Sequence, residues 1–190
     1  MALEVTDSQI KNALGDLIKN SVVAMYSSAG ANIVPRVHRR WVLSHNIGES
    51  SALLKALEGD YRGKVHCWMI GTEGYKRIRP SRGTDTLGLA VNGTLKQHQP
   101  DVRYVIKQYK IWVYIQLDTG NDEINSENRL MSEIEYVSNE FSKYPKLNLV
   151  SEQVQGHGEL NFTSIDTYKF GELQVNVAKG TLDIYLFEQF

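Results

Sequence analysis

Cys67 is the single cysteine of this sequence, so no internal disulfide can staple the chain, which fits a reducing compartment. No apolar run approaches the ~18 residues of a membrane span, and Met1 to Ser8 lacks the apolar stretch of a secretory signal. The expectation is a cytoplasmic protein with no membrane partner. Metal and nucleophile chemistry are thinly provided for as well. The histidines His38, His45, His66, His98 and His157 include no pair at i, i+4 and no Glu placed as in a zinc-hydrolase helix. His66 adjoins Cys67, but neighbours on a strand point to opposite faces and cannot form a nucleophile and base pair. Cys67 therefore reads as a core thiol. Gly88 and Gly93 have the spacing of a phosphate-binding loop, yet Thr94-Leu95 stands where Lys followed by Ser or Thr is needed, so the match fails. No catalytic residue, metal or cofactor is expected.

What is present suits one globular domain spanning 1–190, since 190 residues with 42% hydrophobic and 23% charged content can bury a sizeable core. The net charge of −1 conceals an asymmetry. Residues 1–112 carry 16 Lys and Arg against 9 Asp and Glu, and residues 113–190 carry 5 against 13. Such halves are either solvated faces or the complementary surfaces of subunits that meet head to tail.

Along the chain, Thr6 and Gln9 have capping-box spacing, and Ile10, Leu14, Leu17 and Ile18 mark one face of a helix running to about Ala24. A strand is expected over Arg36 to Leu43, a short helix over Ala52 to Glu58, and a buried strand over Lys64 to Ile70. Gly71 to Asp101, with five glycines and the basic residues Lys76, Arg77, Arg79 and Arg82, reads as a long glycine-rich arm. A hairpin at Leu89 to Leu95 with Asn92-Gly93 as its turn fits within it. Val102 to Asp118 is a long strand whose apolar pattern changes phase, which predicts a bulge near Lys107 or Gln108. Asn125 or Ser126 is the expected cap of a second long helix with the stripe Leu130, Ile134, Val137 and Phe141, closed by Pro145. Two closing strands follow, Leu173 to Val177 and Leu182 to Leu186, with a glycine bulge or turn at Ala178 to Gly180. The fold class is α+β: a small mixed sheet packed by two long helices, with the arm.

Two chemical readings compete with this scaffold. An apolar strand running into Asp118-Thr119-Gly120 resembles the catalytic turn of retroviral-type aspartic proteases, which would make Asp118 the catalytic carboxylate. Against it, the chain enters a long helix directly, and the same residues are ordinary turn formers. The basic positions Arg36, Arg39, Arg40, Lys76, Arg77, Arg79 and Arg82 would grip nucleic acid only if they cluster, and no nucleic-acid-binding signature accompanies them.

The order of elements resembles the tail-terminator proteins of long-tailed bacteriophages over about two thirds of the chain. It is carried by the N-terminal helix, the Gly-Lys-Val-His-Cys-Trp-Met-Ile strand, the Tyr-Lys-Ile-Trp-Val-Tyr-Ile strand, the Asn125 to Tyr144 helix and the closing Gly-Glu-Leu-Gln-Val-Asn-Val-Ala-Lys-Gly-Thr-Leu-Asp-Ile segment. The resemblance implies a structural virion protein with no reaction, assembled in the host cytoplasm into a homo-oligomeric ring, commonly a hexamer. Its partners would be the tail tube, a sheath where there is one, and the head–tail connector or stopper, with DNA passing non-specifically through the lumen. Another neck component is the nearest alternative. The expected subunit-interface residues are Lys76, Arg77, Arg79, Arg82, Arg39 and Arg40.

Overall fold

The structure, a computed structural model, describes residues 5–40, 64–78, 86–91, 94–97, 102–117, 123–149, 153–170 and 173–189. The expected helix at Ala52 to Glu58, the strand end beyond residue 40, and Asp118 lie outside them. Helix α1 (Asp7–Ser28) opens on the expected box: Gln9 N–H donates to Thr6 Oγ1, and Thr6 N–H donates to Gln9 Oε1. It runs a turn beyond the expected end and stops in a Schellman motif, with Gly30 at φ 74 and Ala31 N–H bonded to Tyr26 O. Helix α2 (Glu123–Lys143) begins before Asn125 and Ser126, which lie inside it rather than at its cap.

Both helices cover one face of a six-stranded mixed sheet, the α+β architecture expected. Its members are β1 (Arg36–His38), β2 (His66–Ile78), β5 (Val102–Gln116), β6 (Val154–His157), β7 (Asn161–Phe170) and β8 (Leu173–Gln189), and a separate hairpin joins β3 (Thr86–Val91) to β4 (Thr94–Gln97). The order is β1-β2-β5-β8-β6, with β7 also on β8; among the described residues only β1 with β2 is parallel. Two expectations about the arm change. Its first eight residues continue β2 instead of forming a loop, and the hairpin around Asn92-Gly93 is longer than its sequence signal.

The core between helices and sheet is built from Ile10, Leu14, Ile18 and Val22 on α1, Leu130, Val137 and Phe141 on α2, and alternate strand residues such as Trp68, Ile70, Ile111 and Val113. Each such side chain contributes roughly 1.5–3 kcal/mol through burial. A second cluster, Val65, Cys67, Met69, Tyr114, Val175 and Val177, is buried on the opposite face.

The expected bulges are elsewhere, and in β8 the second cluster explains why. β5 and β8 pair without a break from Val102 with Gln189 to Gln116 with Val175, so neither carries the bulge assigned to it, and the two expected closing strands are one. In β8 the apolar side changes face along one unbroken strand, Val175 and Val177 belonging to the second cluster and Ala178, Leu182 and Ile184 to the first, which reads as a phase change in a pattern assumed to be one-sided. The irregularities lie on their neighbours: at Glu73 in β2, opposite Tyr109 and Gln108; at Gln155 in β6; and at Thr163 in β7. Glu73, extruded by its bulge, pairs with Lys110 at 2.9 Å.

Candidate functional site

The most concentrated set of polar groups is buried. Glu133 projects from α2 into the interface with β2, at the position three beyond Leu130 and four before Val137, so helical spacing puts it on the apolar stripe. Its side chain is 0% exposed. A carboxylate is costly there unless its oxygens are satisfied, and three donors meet them. Trp68 Nε1 donates to Oε1 at 2.6 Å, Tyr26 Oη donates to Oε2 at 2.9 Å, and His66 Nε2 lies 2.9 Å from both oxygens. An indole N–H can only donate, so the oxygen it meets must accept. His66 and Trp68 alternate on β2 and share the helix face, while Tyr26 comes from the last turn of α1 and meets the His66 ring edge-on at 5.9 Å. One carboxylate thereby ties both helices to the sheet.

A carboxylate, a histidine and a tyrosine in contact are groups that acid–base catalysis uses, but here each donor is spent on Glu133. Two grooves among the described residues on the helix side are not lined by them. The larger, about 580 Å³, runs between α1 and α2 past Asn12, Asp16, Asn20, Tyr136 and Glu140. The other, about 570 Å³, lies at the end of α2 beside His157 and Tyr185. His157 Nε2 lies 3.0 Å from Phe141 O and 3.2 Å from Tyr144 O at the end of α2, carbonyls that also accept from Tyr144 N–H and Leu147 N–H.

On the opposite face, Lys179 of β8 lies over the Trp112 ring at 5.1 Å and bonds Asp166 at 2.7 Å and Tyr168 Oη at 2.5 Å. Its hydrogen bond to Asp166 first, then that to Tyr168, raise the pKa of the ammonium above its ordinary value. Cys67, beneath this face, has its thiol pushed up to about 12 by burial, which leaves it protonated and unreactive. Among the described residues, no three His, Cys, Asp or Glu side chains converge as metal ligands would.

The sequence-predicted interface residues separate. Arg39 is drawn onto α1, where its guanidinium bonds Asp16 at 2.5 Å, and its approach needs Gly15, whose added Cβ would sit 3.0 Å from Arg39 Nε. Arg40 is exposed after β1, and Lys76 is exposed on the far part of β2. Arg77 falls on the same strand; Arg79 and Arg82 lie outside the described residues, as do His45 and His98. The Glu133 network was not anticipated, although a Glu at stripe spacing and a His inside an apolar strand are its signals. No family model matches this chain, and no curated protein matches it in sequence.

Proposed function

We propose that the chain is a structural protein that assembles with copies of itself into a closed ring, and that the ring caps the tail tube of a long-tailed bacteriophage and joins it to the head–tail connector. The reading rests on the resemblance in element order, and one observation carries it further. The groups best suited to chemistry, Glu133, His66 and Tyr26, are used to clamp two helices onto a sheet whose central strands pair over fifteen consecutive positions. Rigidity of that kind serves an assembly subunit. A ring needs a heterologous interface that closes, and the opposite charge of residues 1–112 and 113–190 supplies complementary surfaces for it. No reaction and no cofactor belong to this role.

Light scattering and native mass spectrometry of the free protein, with electron microscopy of tails assembled with and without it, test the reading. A closed oligomer and added density at the tail end are expected. Monomers at every concentration and salt, with no such density, overturn it; density on the head side of the joint would assign another neck component. Reversal of Arg77, Arg79 and Arg82 to Glu should weaken the ring more at low salt than at high salt, because exposed charge pairs are screened within about 3 Å at 1 M.

A further inference from the structure

We propose that His157 is a proton-dependent latch: the folded chain holds its side chain as an imidazolium that fastens the end of α2 to β6, and loss of one of its protons releases the hold. The latch is independent of the assembly proposed above. Both imidazole nitrogens of His157 aim at carbonyl oxygens. Nδ1 lies 2.6 Å from Gly158 O, and Nε2 lies 3.0 Å from Phe141 O and 3.2 Å from Tyr144 O. A carbonyl oxygen has lone pairs and no proton to give, so each nitrogen that bonds one must carry a hydrogen. A neutral imidazole has one such hydrogen, and its other nitrogen would set a lone pair against an oxygen. Only the imidazolium satisfies both sides.

The surroundings hold this geometry in place. Gly158 N–H donates to Asp183 O at 2.8 Å, which ties Gly158 to β8. Phe141 O also accepts from Tyr144 N–H at 3.0 Å and Tyr144 O from Leu147 N–H at 2.8 Å, so both carbonyls stand in the turns that close α2. The buried Phe141 meets the imidazole edge-on at 5.7 Å and fixes its plane. A cation suits this place, because the C-terminal end of a helix carries the negative end of its dipole. Immediately beyond, Leu147 and Asn148 take φ of 54 and 56, a left-handed conformation that L side chains disfavour, so the chain reverses where the latch holds it. The titratable groups around His157 come from three elements. At the end of α2, Lys143 bonds Glu140, the contact that does most to raise its own pKa, and Tyr144 and the exposed Lys146 follow. Glu159, after β6, shares a groove with His157 and with Tyr185 of β8, whose ionisation is pushed up by burial first and then by Asp183. Asp183 accepts from Gln108 Nε2 at 3.0 Å. Among the described residues no carboxylate pairs with His157, so carbonyls alone meet its charge. Histidine is also the side chain whose ordinary titration falls between pH 5 and 8.

A histidine that holds its second proton more tightly in the folded chain than in the unfolded one contributes stability in full below the ordinary value of about 6.5. The contribution is lost as pH rises through the folded-state transition. The test uses the full chain. In nitrogen-15 NMR spectra at pH 7, where an ordinary histidine is mostly neutral, both imidazole nitrogens of His157 should show the shifts of protonated nitrogens. In urea melts from pH 5.5 to 8.5, the unfolding constant of the wild type relative to that of His157→Gln should rise on the order of tenfold with increasing pH. Protection of the Tyr144 and Leu147 amides against hydrogen exchange, corrected for the intrinsic rate, should fall over the same range. One protonated and one bare nitrogen at pH 7 would overturn the proposal, and so would a stability ratio that does not change with pH. If His157→Gln does not fold, the wild-type spectrum decides alone.

Discussion

The ring of Phe162 lies on the backbone of Gly180: the two residues pair across β7 and β8, and a Cβ added at position 180 would stand 2.9 Å from Phe162 Cδ1. The same ring meets Trp68 edge-on at 6.2 Å, so the glycine lets an aromatic from an edge strand cover the core. Gly180 is thus not a turn in β8 but a flat place in a regular strand. Gly180→Ala should cost about 1–3 kcal/mol by overpacking, and adding Phe162→Leu should cost less than the two single changes summed. Thermal melts of the cycle check this; additivity would mean that the ring does not bear on the glycine.

Glu133 predicts a graded series. Glu133→Ala leaves Trp68, His66 and Tyr26 without their acceptor and should cost about 3–5 kcal/mol, whereas Tyr26→Phe removes one donor of three and should cost about 1–2. Urea denaturation measures both. A cost for Glu133→Ala no greater than that for Tyr26→Phe would contradict the clamp.

Tyr114 offers a contrast, because its hydroxyl is buried with no hydrogen-bond partner among the described residues. Burial, with smaller effects from Cys67 and Tyr168, pushes its ionisation up. Tyr114→Phe removes a desolvated hydroxyl without opening a cavity and should leave stability within about 0.5 kcal/mol or raise it.

Cys67, with its thiol raised to about 12 by burial, should resist alkylation at pH 8 in the folded protein and label fully in denaturant. Mass spectrometry after iodoacetamide treatment follows it. Labelling at the rate of a free thiol would place Cys67 outside a closed core.

Asp7 links the start of α1 to β5, accepting from Tyr109 Oη at 2.8 Å and pairing with Lys11 at 2.7 Å. Burial works to raise its pKa, but the Lys11, Tyr109 and Thr72 contacts outweigh it and leave the carboxyl below its ordinary value of 3.8. A lowered folded value means that its contribution is complete above about pH 4 and is lost as pH falls through the folded value. Asp7→Asn should therefore flatten the acid limb of stability and leave its alkaline limb unchanged in melts across pH.

Local signals were legible where a few neighbours decide the outcome. The Thr6–Gln9 box, the stripe from Leu130 to Phe141 and the Asn92-Gly93 hairpin each follow from contacts within one element or one turn, so the residues that make them are adjacent in the sequence. The start of α2 was read two or three residues late because Asn125 and Ser126 are good caps that the helix passes through. β6 and β7 were missed; β7 alternates polar residues with few apolar ones, as a strand that pairs with β8 alone among the described residues allows.

The chain's own pattern determined that there would be two amphipathic helices and long apolar strands; which face each strand buries was decided only by what packs on it. Val175 and Val177 face one cluster while Ala178 and Leu182 face the other along one unbroken strand, and the bulges fall on the neighbours β2, β6 and β7. A bulge is a mismatch between two strands, so neither sequence alone locates it. The same holds for Glu133. Its place on the stripe is a matter of helical period, but whether the carboxylate could be buried there depended on Tyr26, His66 and Trp68 arriving from elements 65 to 107 residues away in sequence.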